Sequence, residues 1–193
     1  MSIAEIIGFS AGAIGLTQSI PQSFRLRKLG HGRGVSTATW TLNFLLNSSW
    51  IGYGIKTHSP SVAMTNSLSL FFTTTILVSL LQTIRNPWPA IFVVGILVIA
   101  ISSLIPQGIT SFLVILLTLA RLPQVIQSYK NMNNDDANAV SISSILISIM
   151  SLILWETFAI LENRHVVMLT TAIGLTLTTA IAYFELKPMT KRA

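Results

Sequence analysis

The chain contains no cysteine, and it contains few charged residues of either sign. The lack of cysteine among 193 residues excludes both a disulfide framework and a thiolate metal site. Charged residues make up 9% of the chain, whereas a soluble domain usually carries about 25%. So few charges cannot cover a surface that faces water, and the composition therefore excludes an ordinary soluble globular protein.

Motifs of catalysis and of cofactor binding are also missing. The chain has no phosphate-binding glycine loop, no nucleophile elbow and no pair of carboxylates, so we predict that it is not an enzyme. Its histidines, His31, His58 and His165, are scattered over loops on both sides of the membrane. We therefore predict neither a metal site nor a cofactor.

Apolar residues dominate the rest of the chain. They make up 51% of it, and the mean hydropathy is +0.69, which predicts an integral, multi-pass membrane protein in contact with lipid. The net charge of +6 could indicate a nucleic-acid partner, but a basic patch needs a soluble scaffold to display it. We therefore expect no nucleic-acid partner, and we attribute the positive charge to cytoplasmic loops.

Seven apolar segments are long enough to cross a bilayer, which takes about 20 residues. All are predicted to be helices, because lipid offers no partner to an unpaired backbone amide. We expect the first to be a retained helix rather than a signal peptide, because its only early charge is the acidic Glu5. The segments run roughly 3–23, 37–56, 61–83, 88–105, 108–127, 140–161 and 166–186.

The basic residues fall mainly on one side of these seven crossings. Of the 12 Lys and Arg residues, only Lys56 and Arg164 lie on the side of the N-terminus. This distribution predicts an N-terminus outside and a C-terminus in the cytoplasm. The others are Arg25, Arg27, Lys28, Arg33, Arg85, Arg121, Lys130, Lys187, Lys191 and Arg192.

The sequence repeats itself after about a hundred residues. Pro21-Gln22 matches Pro123-Gln124 at an offset of 102, and Trp50 matches Trp155 at an offset of 105. The fold predicted is therefore all-α and transmembrane, with seven helices in a parallel 3+1+3 repeat of three-helix bundles. The predicted units are a first repeat at 1–84, a linker helix at 85–107, a second repeat at 108–187 and a cytoplasmic tail at 188–193.

Polar residues form matching stripes on corresponding helices. In the sixth segment the stripe is Ser144, Ser148, Ser151 and Trp155, and its counterparts in the second are Thr39, Asn43, Leu46 and Trp50, with Asn47 alongside. In the third segment Asn66 corresponds to Thr171 in the seventh. Lipid-facing positions have no reason to repeat polar residues, so we expect both stripes to face inward.

Two interpretations of these polar residues remain open. Serine and threonine often pack helices together in membranes, and Asn43 and Asn47 could equally bond between helices. Asn66 favours a wet cavity, because an amide deep in the membrane is costly unless it is paired or hydrated. Trp50 and Trp155 fit either an interfacial aromatic belt or a stacking platform for a sugar.

The repeated Pro-Gln suggests a hinge. Proline removes an amide donor and clashes with the carbonyl four residues back, so Pro21 and Pro123 should bend their helices, with Gln22 and Gln124 bonding the freed carbonyls. The alternative is that each proline simply ends its helix. Glu156 is a candidate proton site inside a span, or else a solvated group near the outer mouth that pairs with Arg164.

These motifs resemble the PQ-loop superfamily, and most closely the SWEET and SemiSWEET sugar transporters. The resemblance covers nearly the whole chain. It is carried by "IPQSFRLRKLG", "GVSTATW" and "WIGYGI" in the first half and by "LPQVIQSY" and "AVSISS" in the second, with a tryptophan 14 residues after the serine of each Val-Ser. The resemblance implies a central cavity between two bundles, with substrate held by Trp50, Trp155 and Asn66.

The chain departs from that family at two points. The family has asparagine at the position of Thr171, so one amide is lost and the identity of the substrate is less certain. The gate prolines that SWEETs carry in the second and sixth helices are absent here, which is closer to SemiSWEETs and other PQ-loop proteins. The predicted substrate-binding residues are Trp50, Asn66, Trp155, Thr171, Asn43, Asn47, Ser148 and Ser151.

Three functions fit the sequence. The first is a facilitative carrier of a mono- or disaccharide that works by alternating access. The second is a carrier of amino acids or another small metabolite, coupled to protons or exchanging, which Thr171 and Glu156 favour. The third is a receptor or scaffold on the same fold. We expect a cell membrane, inner or plasma, rather than an organelle membrane, and a homo-oligomer is compatible with the sequence.

Overall fold

In the computed structural model, every regular element among the described residues is helical. The structure describes residues 2–29, 37–81, 85–131 and 142–190, without the side chains of 18–29, Thr39, Gln127, Asn131, 142–144 and 187–190. The helices are α1 (Ile3–Leu29), α2 (Thr37–Lys56), α3 (Pro60–Leu80), α4 (Trp88–Leu104), α5 (Gln107–Thr118), α6 (Leu122–Asn131), α7 (Ile142–Leu161) and α8 (His165–Thr190), with a 3-10 turn at Leu119–Arg121 between α5 and α6.

Each of the seven predicted segments corresponds to a helical element. The fifth consists of α5, the 3-10 turn and α6, so α7 and α8 are the sixth and seventh. Proline determines several starts, because it can occupy the first turn without losing a hydrogen bond. Pro60 begins α3, Pro87 precedes α4 and Pro106 precedes α5. Pro188, expected at a break, instead lies within α8.

Three helices are long and apolar enough to cross a membrane: Pro60–Leu80, Gln107–Lys130 and His165–Leu186. Three further apolar helices are shorter, at Ile3–Thr17, Trp88–Leu104 and Ile145–Leu161. Large apolar side chains such as Phe92 and Phe112 are exposed along these helices. A protein with such surfaces is stable in lipid rather than in water, which indicates a membrane-embedded protein.

Two helices each pack against two others. In the first group, α3 contacts both α1 and α2; in the second group, α8 contacts both α7 and the α5–α6 pair. We call these groups the first trio and the second trio. The trios meet along two seams, α1 against α7 and α2 against α5, and α4 packs mainly on α2.

Several contacts bring the helix termini together at one end of the molecule, which we call the Ser2 end. The Ser2 hydroxyl donates to Glu162 Oε1 over 3.1 Å, and the Lys56 ammonium donates to the Ile105 carbonyl. The start of α1, the end of α2 and the α4–α5 and α7–α8 turns therefore lie together, as expected if successive helices run in opposite directions.

The turns after α2 and α7 have the same conformation. His58 and Asn163, 105 residues apart, both have positive φ, at 50° and 54°. In each turn, three backbone amides donate to carbonyls at equivalent positions, as in Ser59 to Gly54 and Arg164 to Ala159. A left-handed residue at this point ends a helix and satisfies its last carbonyls.

Glycine permits a very close approach of α1 to α3. A Cβ atom at Gly12 would lie 2.2 Å from Thr65 Cγ2, and one at Gly8 would lie 2.5 Å from Ser61 Oγ. Small residues at such crossings let two membrane helices pack backbone to backbone.

Candidate functional site

An apolar cluster joins the two trios near the Ser2 end. Its buried members, which we call the junction cluster, are Ala4, Tyr53, Val62, Phe158, Ala159 and Val167. They come from α1, α2, α3, α7 and α8, so both trios contribute side chains. Trp50 and Trp155 are partly buried and pack against this cluster.

The two tryptophans have equivalent aromatic partners. The Trp50 and Tyr53 rings meet edge to face with centroids 5.2 Å apart, and the Trp155 and Phe158 rings do the same at 5.4 Å. Tyr53 and Phe158 are also 105 residues apart. Edge-to-face contacts fix the planes of both indoles, so the sequence repeat extends to side-chain geometry.

Asn66 and Thr171 lie one helical turn deeper than the cluster. Asn66 follows the cluster residue Val62 by four positions and donates through Nδ2 to the Val62 carbonyl over 2.8 Å. Thr171 follows Val167 by four positions and donates to the Val167 carbonyl, also over 2.8 Å. Residues four apart share a helix face. Trp50 and Trp155 likewise lie one turn deeper than Tyr53 and Phe158, so the four residues form a layer beneath the junction cluster.

Glu156 is connected to this layer. Its Oε2 lies within hydrogen-bond reach of the Thr171 hydroxyl, so Glu156 competes with the Val167 carbonyl for the single hydrogen of that hydroxyl. The pairing with Arg164 considered from the sequence is not observed, since Arg164 Nη2 lies 3.9 Å from Glu162 Oε2 instead. A carboxylate bonded to a layer residue can transmit its protonation state to that layer.

The other polar stripe residues mostly hold helices together. Asn47 Nδ2 donates to Thr73 Oγ1 over 3.2 Å, which links α2 to α3. The Ser151 hydroxyl donates to the Ala11 carbonyl over 2.8 Å, which links the two trios across the α1–α7 seam. Ser148 is buried and Asn43 is half-buried. The side chains of Thr39 and Ser144 lie outside the described residues.

Two of the best-formed pockets in the described part of the chain lie near the Ser2 end. One, of about 240 Å³, includes Tyr53, Gln107 and Arg164 in its lining. The other, of about 280 Å³, lies beside Gly54 and Ser59. Neither of these two pockets is lined by Trp50, Asn66, Trp155 or Thr171.

The two Pro-Gln pairs lie in backbone segments of different conformation. Neither proline ends its helix, because α1 continues past Pro21 to Leu29 and α6 continues past Pro123 to Asn131. Before Pro123, however, the α-helix gives way to the 3-10 turn that begins at Leu119. Pro123 cannot donate to the Leu119 carbonyl four positions before it, and that carbonyl accepts instead from the Leu122 amide. Gln124 is exposed, and the side chains of Pro21 and Gln22 lie outside the described residues.

Sequence reasoning missed the buried carboxylate of Glu5. Glu5 is 9% exposed, and its oxygens accept bonds from the Ser59 hydroxyl over 3.1 Å and the Ser61 amide over 2.7 Å. The signal in the sequence was Ser59–Pro60–Ser61, a predicted helix start whose free amides need an acceptor. Glu5, near the start of the first predicted helix, is expected on the same side of the membrane. Among the described residues, no group of three His, Cys, Asp or Glu could hold a metal ion.

No protein-family model matches this chain, and no curated protein matches it.

Proposed function

We propose that the protein is a membrane carrier that moves a small polar solute, a mono- or disaccharide, by facilitative alternating access between its two trios. The proposal includes a PQ-loop-like parallel 3+1+3 repeat, an external N-terminus and a place in the cell membrane. The observation that carries it is the four-residue layer: Trp50 and Trp155 pack against the junction cluster where the two trios meet. Asn66 and Thr171 each lie one turn from a cluster residue, on α3 and α8.

The packing supports the parallel repeat. In both trios the third helix lies between the other two, and each trio offers its first helix to the second helix of the other. The turns at His58 and Asn163 and the rings of Tyr53 and Phe158 keep the same offset of 105. A two-fold axis along the membrane normal relates such halves, and substrate sites in transporters commonly lie between repeats.

The chemistry of the layer suits a sugar. Two indoles provide flat apolar surfaces for the C–H faces of a pyranose ring, while an amide and a hydroxyl provide donors and acceptors. The Asn66 carboxamide uses one N–H within its own helix and keeps its oxygen for a substrate. No charged group lines the layer except Glu156, which bonds to Thr171, in the part of the chain that the structure describes.

The junction cluster then acts as a gate. In this conformation it closes the Ser2 end, since side chains from both trios meet there in a buried apolar contact. Opening would separate the Trp50–Tyr53 pair from the Trp155–Phe158 pair and admit water to the layer. Movement at the α1–α7 and α2–α5 seams would be coupled to closure at the opposite end.

A second candidate function is favoured by the bond between Glu156 and Thr171. Protonation of Glu156 removes a negative charge and changes what Thr171 can donate to a bound solute. This arrangement suits a proton-coupled carrier of amino acids or another metabolite.

Uptake into proteoliposomes tests both functions. For the sugar carrier, we expect counterflow that ignores a pH gradient and falls by about tenfold or more in Trp50→Ala, because each 1.4 kcal/mol of lost binding is tenfold. Trp88→Ala is the matched control, because Trp88 is exposed at the start of α4. For the coupled carrier, uptake follows the pH gradient and loses that dependence in Glu156→Gln.

If the folded protein moves no sugar or amino acid in either direction, both functions are contradicted. The function that remains is then that of a receptor or scaffold. Equal activity of Trp50→Ala and the parent chain would contradict the placement of the site alone.

A further inference from the structure

The first trio contains a carboxylate that connects the start of α1 to the start of α3. Glu5 Oε1 accepts from the Ser59 hydroxyl, and Oε2 accepts from the Ser61 amide. Ser59 precedes α3 and Ser61 is in its first turn, so the carboxylate satisfies donors that the helix itself leaves unpaired.

The second trio has different residues at these three positions. The offset of 102 places Gln107 at the position of Glu5, and the offset of 105 places Arg164 and Val166 at those of Ser59 and Ser61. Gln107, Arg164 and Val166 all line the same cavity of about 240 Å³. Where the first trio holds a carboxylate, the second trio therefore has an amide, a guanidinium and empty volume.

The cavity is lined by one cation, Arg164, and one carboxylate, Glu162, and the hydrogen-bond donors around it favour an anion. Arg164 lies 3.9 Å from Glu162, a long ion pair, and Glu162 also accepts from Ser2. Arg164 Nε is buried and has no hydrogen-bond partner among the described residues. A buried guanidinium N–H without an acceptor costs free energy that a bound anion would recover. Tyr53, Asn163 and His165 supply further donors around the cavity.

We propose that this cavity binds a small carboxylate, in the position that the Glu5 carboxylate occupies in the first trio. The guanidinium of Arg164 replaces the Ser59 hydroxyl as the side-chain donor, and the Val166 amide corresponds to that of Ser61. The site lies at the Ser2 end, outside the layer of Trp50 and Trp155. Its ligand is a free small carboxylate or the carboxylate of a serine-containing lipid headgroup.

A thermal-unfolding titration of the full-length protein tests this site. In nanodiscs of phosphatidylcholine, acetate replaces chloride at constant sodium concentration and pH. We expect a saturable rise of about 2–4 °C in the apparent unfolding temperature at acetate concentrations a few-fold above its dissociation constant. A parallel arm without acetate compares these nanodiscs with others that contain phosphatidylserine, which separates the lipid source from the free one.

Two variants identify the cavity as the site. Gln107→Glu supplies the missing carboxylate within the chain, as Glu5 does in the first trio, so it should raise the unfolding temperature and abolish the further rise with ligand. Arg164→Gln should also abolish the rise with ligand, but without raising the unfolding temperature of the ligand-free protein. Lys56→Gln is the charge-matched control, because Lys56 lies at the same end but does not line the cavity.

A response in either arm that Gln107→Glu and Arg164→Gln remove, and that Lys56→Gln retains, supports the site and identifies its source. The absence of a response in both arms overturns the proposal. A response that is the same in Gln107→Glu as in the parent chain also overturns it, because the cavity would then not be where the carboxylate binds.

Discussion

The two trios have equivalent turns and equivalent aromatic pairs, but their first and third helices pack differently. In the first, Gly8 and Gly12 bring α1 against α3, and the Glu5 carboxylate joins the starts of these helices. In the second, the positions of the two glycines hold Thr110 and Val114, and a cavity takes the place of the carboxylate. The turns thus have the same geometry in both trios, although only the first trio has the glycine and carboxylate contacts. The helix ends and the seams, rather than those contacts, determine that geometry.

The largest effect should come from the glycine contact of the first trio. In Gly12→Ala the new Cβ would meet Thr65 atoms at 2.2 to 2.4 Å. Overpacking of this kind costs about 1–3 kcal/mol, so we expect a lower unfolding temperature and a lower yield of folded protein. Gly108→Ala in the second trio is the matched control, because nothing lies within 4 Å of its Cβ position. Equal stability of the two variants would show that α1 and α3 are not in close contact.

Removal of the buried carboxylate should have the next largest effect. Glu5→Ala leaves the Ser59 hydroxyl and the Ser61 amide without their acceptor, and buried donors left unpaired cost about 1–3 kcal/mol. Gln107→Ala, at the equivalent position, removes an exposed side chain and should change the unfolding temperature little. The unfolding temperatures of both variants are measured at one pH. A larger fall in Gln107→Ala than in Glu5→Ala would contradict the prediction.

The seams between the trios also differ, by one hydroxyl. Ser151 bonds to Ala11 across the α1–α7 seam, whereas its counterpart across the α2–α5 seam is Leu46. Ser151→Ala should therefore lower stability by about 0.5–1.5 kcal/mol, the usual worth of one hydrogen bond. Ser67→Ala is the control, because that hydroxyl is exposed and bonds only to its own helix. Chemical-denaturant midpoints that coincide for the two variants would show that the seam does not depend on Ser151.

The smallest effect on stability, but a clear one on rate, should come from the two prolines. Pro123→Ala supplies the Leu119 carbonyl with an α-helical donor in place of the Leu122 amide and should convert the 3-10 turn to α-helix, which stiffens α5 and α6 into one rod. If this turn is a hinge, solute exchange slows by several-fold while the unfolding temperature is maintained or rises. Pro21→Ala, in a continuous helix, should slow exchange less. Identical rates for both variants and the parent chain would remove the hinge from the mechanism.

The sequence predicted the helices well because proline and apolar length are local signals. Pro60, Pro87 and Pro106 lie at helix starts in the structure as their positions predict. It left open whether Pro21 bends α1 or ends it, and the structure shows that α1 continues to Leu29, because the packing that supports a helix beyond a proline is not local.

The candidate site was predicted less completely. The offset of 105 located Trp50 and Trp155, and the structure adds Tyr53 and Phe158 as their partners. The bond between Thr171 and Glu156 joins residues 15 positions apart on different helices, so only the relative placement of α7 and α8 reveals it. Glu5 was missed for the same reason, since its partners are more than 50 residues away.

The turn between α4 and α5 consists of Ile105 and Pro106 alone, and Lys56 holds the carbonyl of Ile105. A connection of this length lets α4 and α5 rotate relative to each other, but it prevents them from moving apart. Since α4 packs on α2, it moves with the first trio. A displacement of one trio relative to the other at the Ser2 end is therefore smallest beside this turn and larger on the side of the α1–α7 seam.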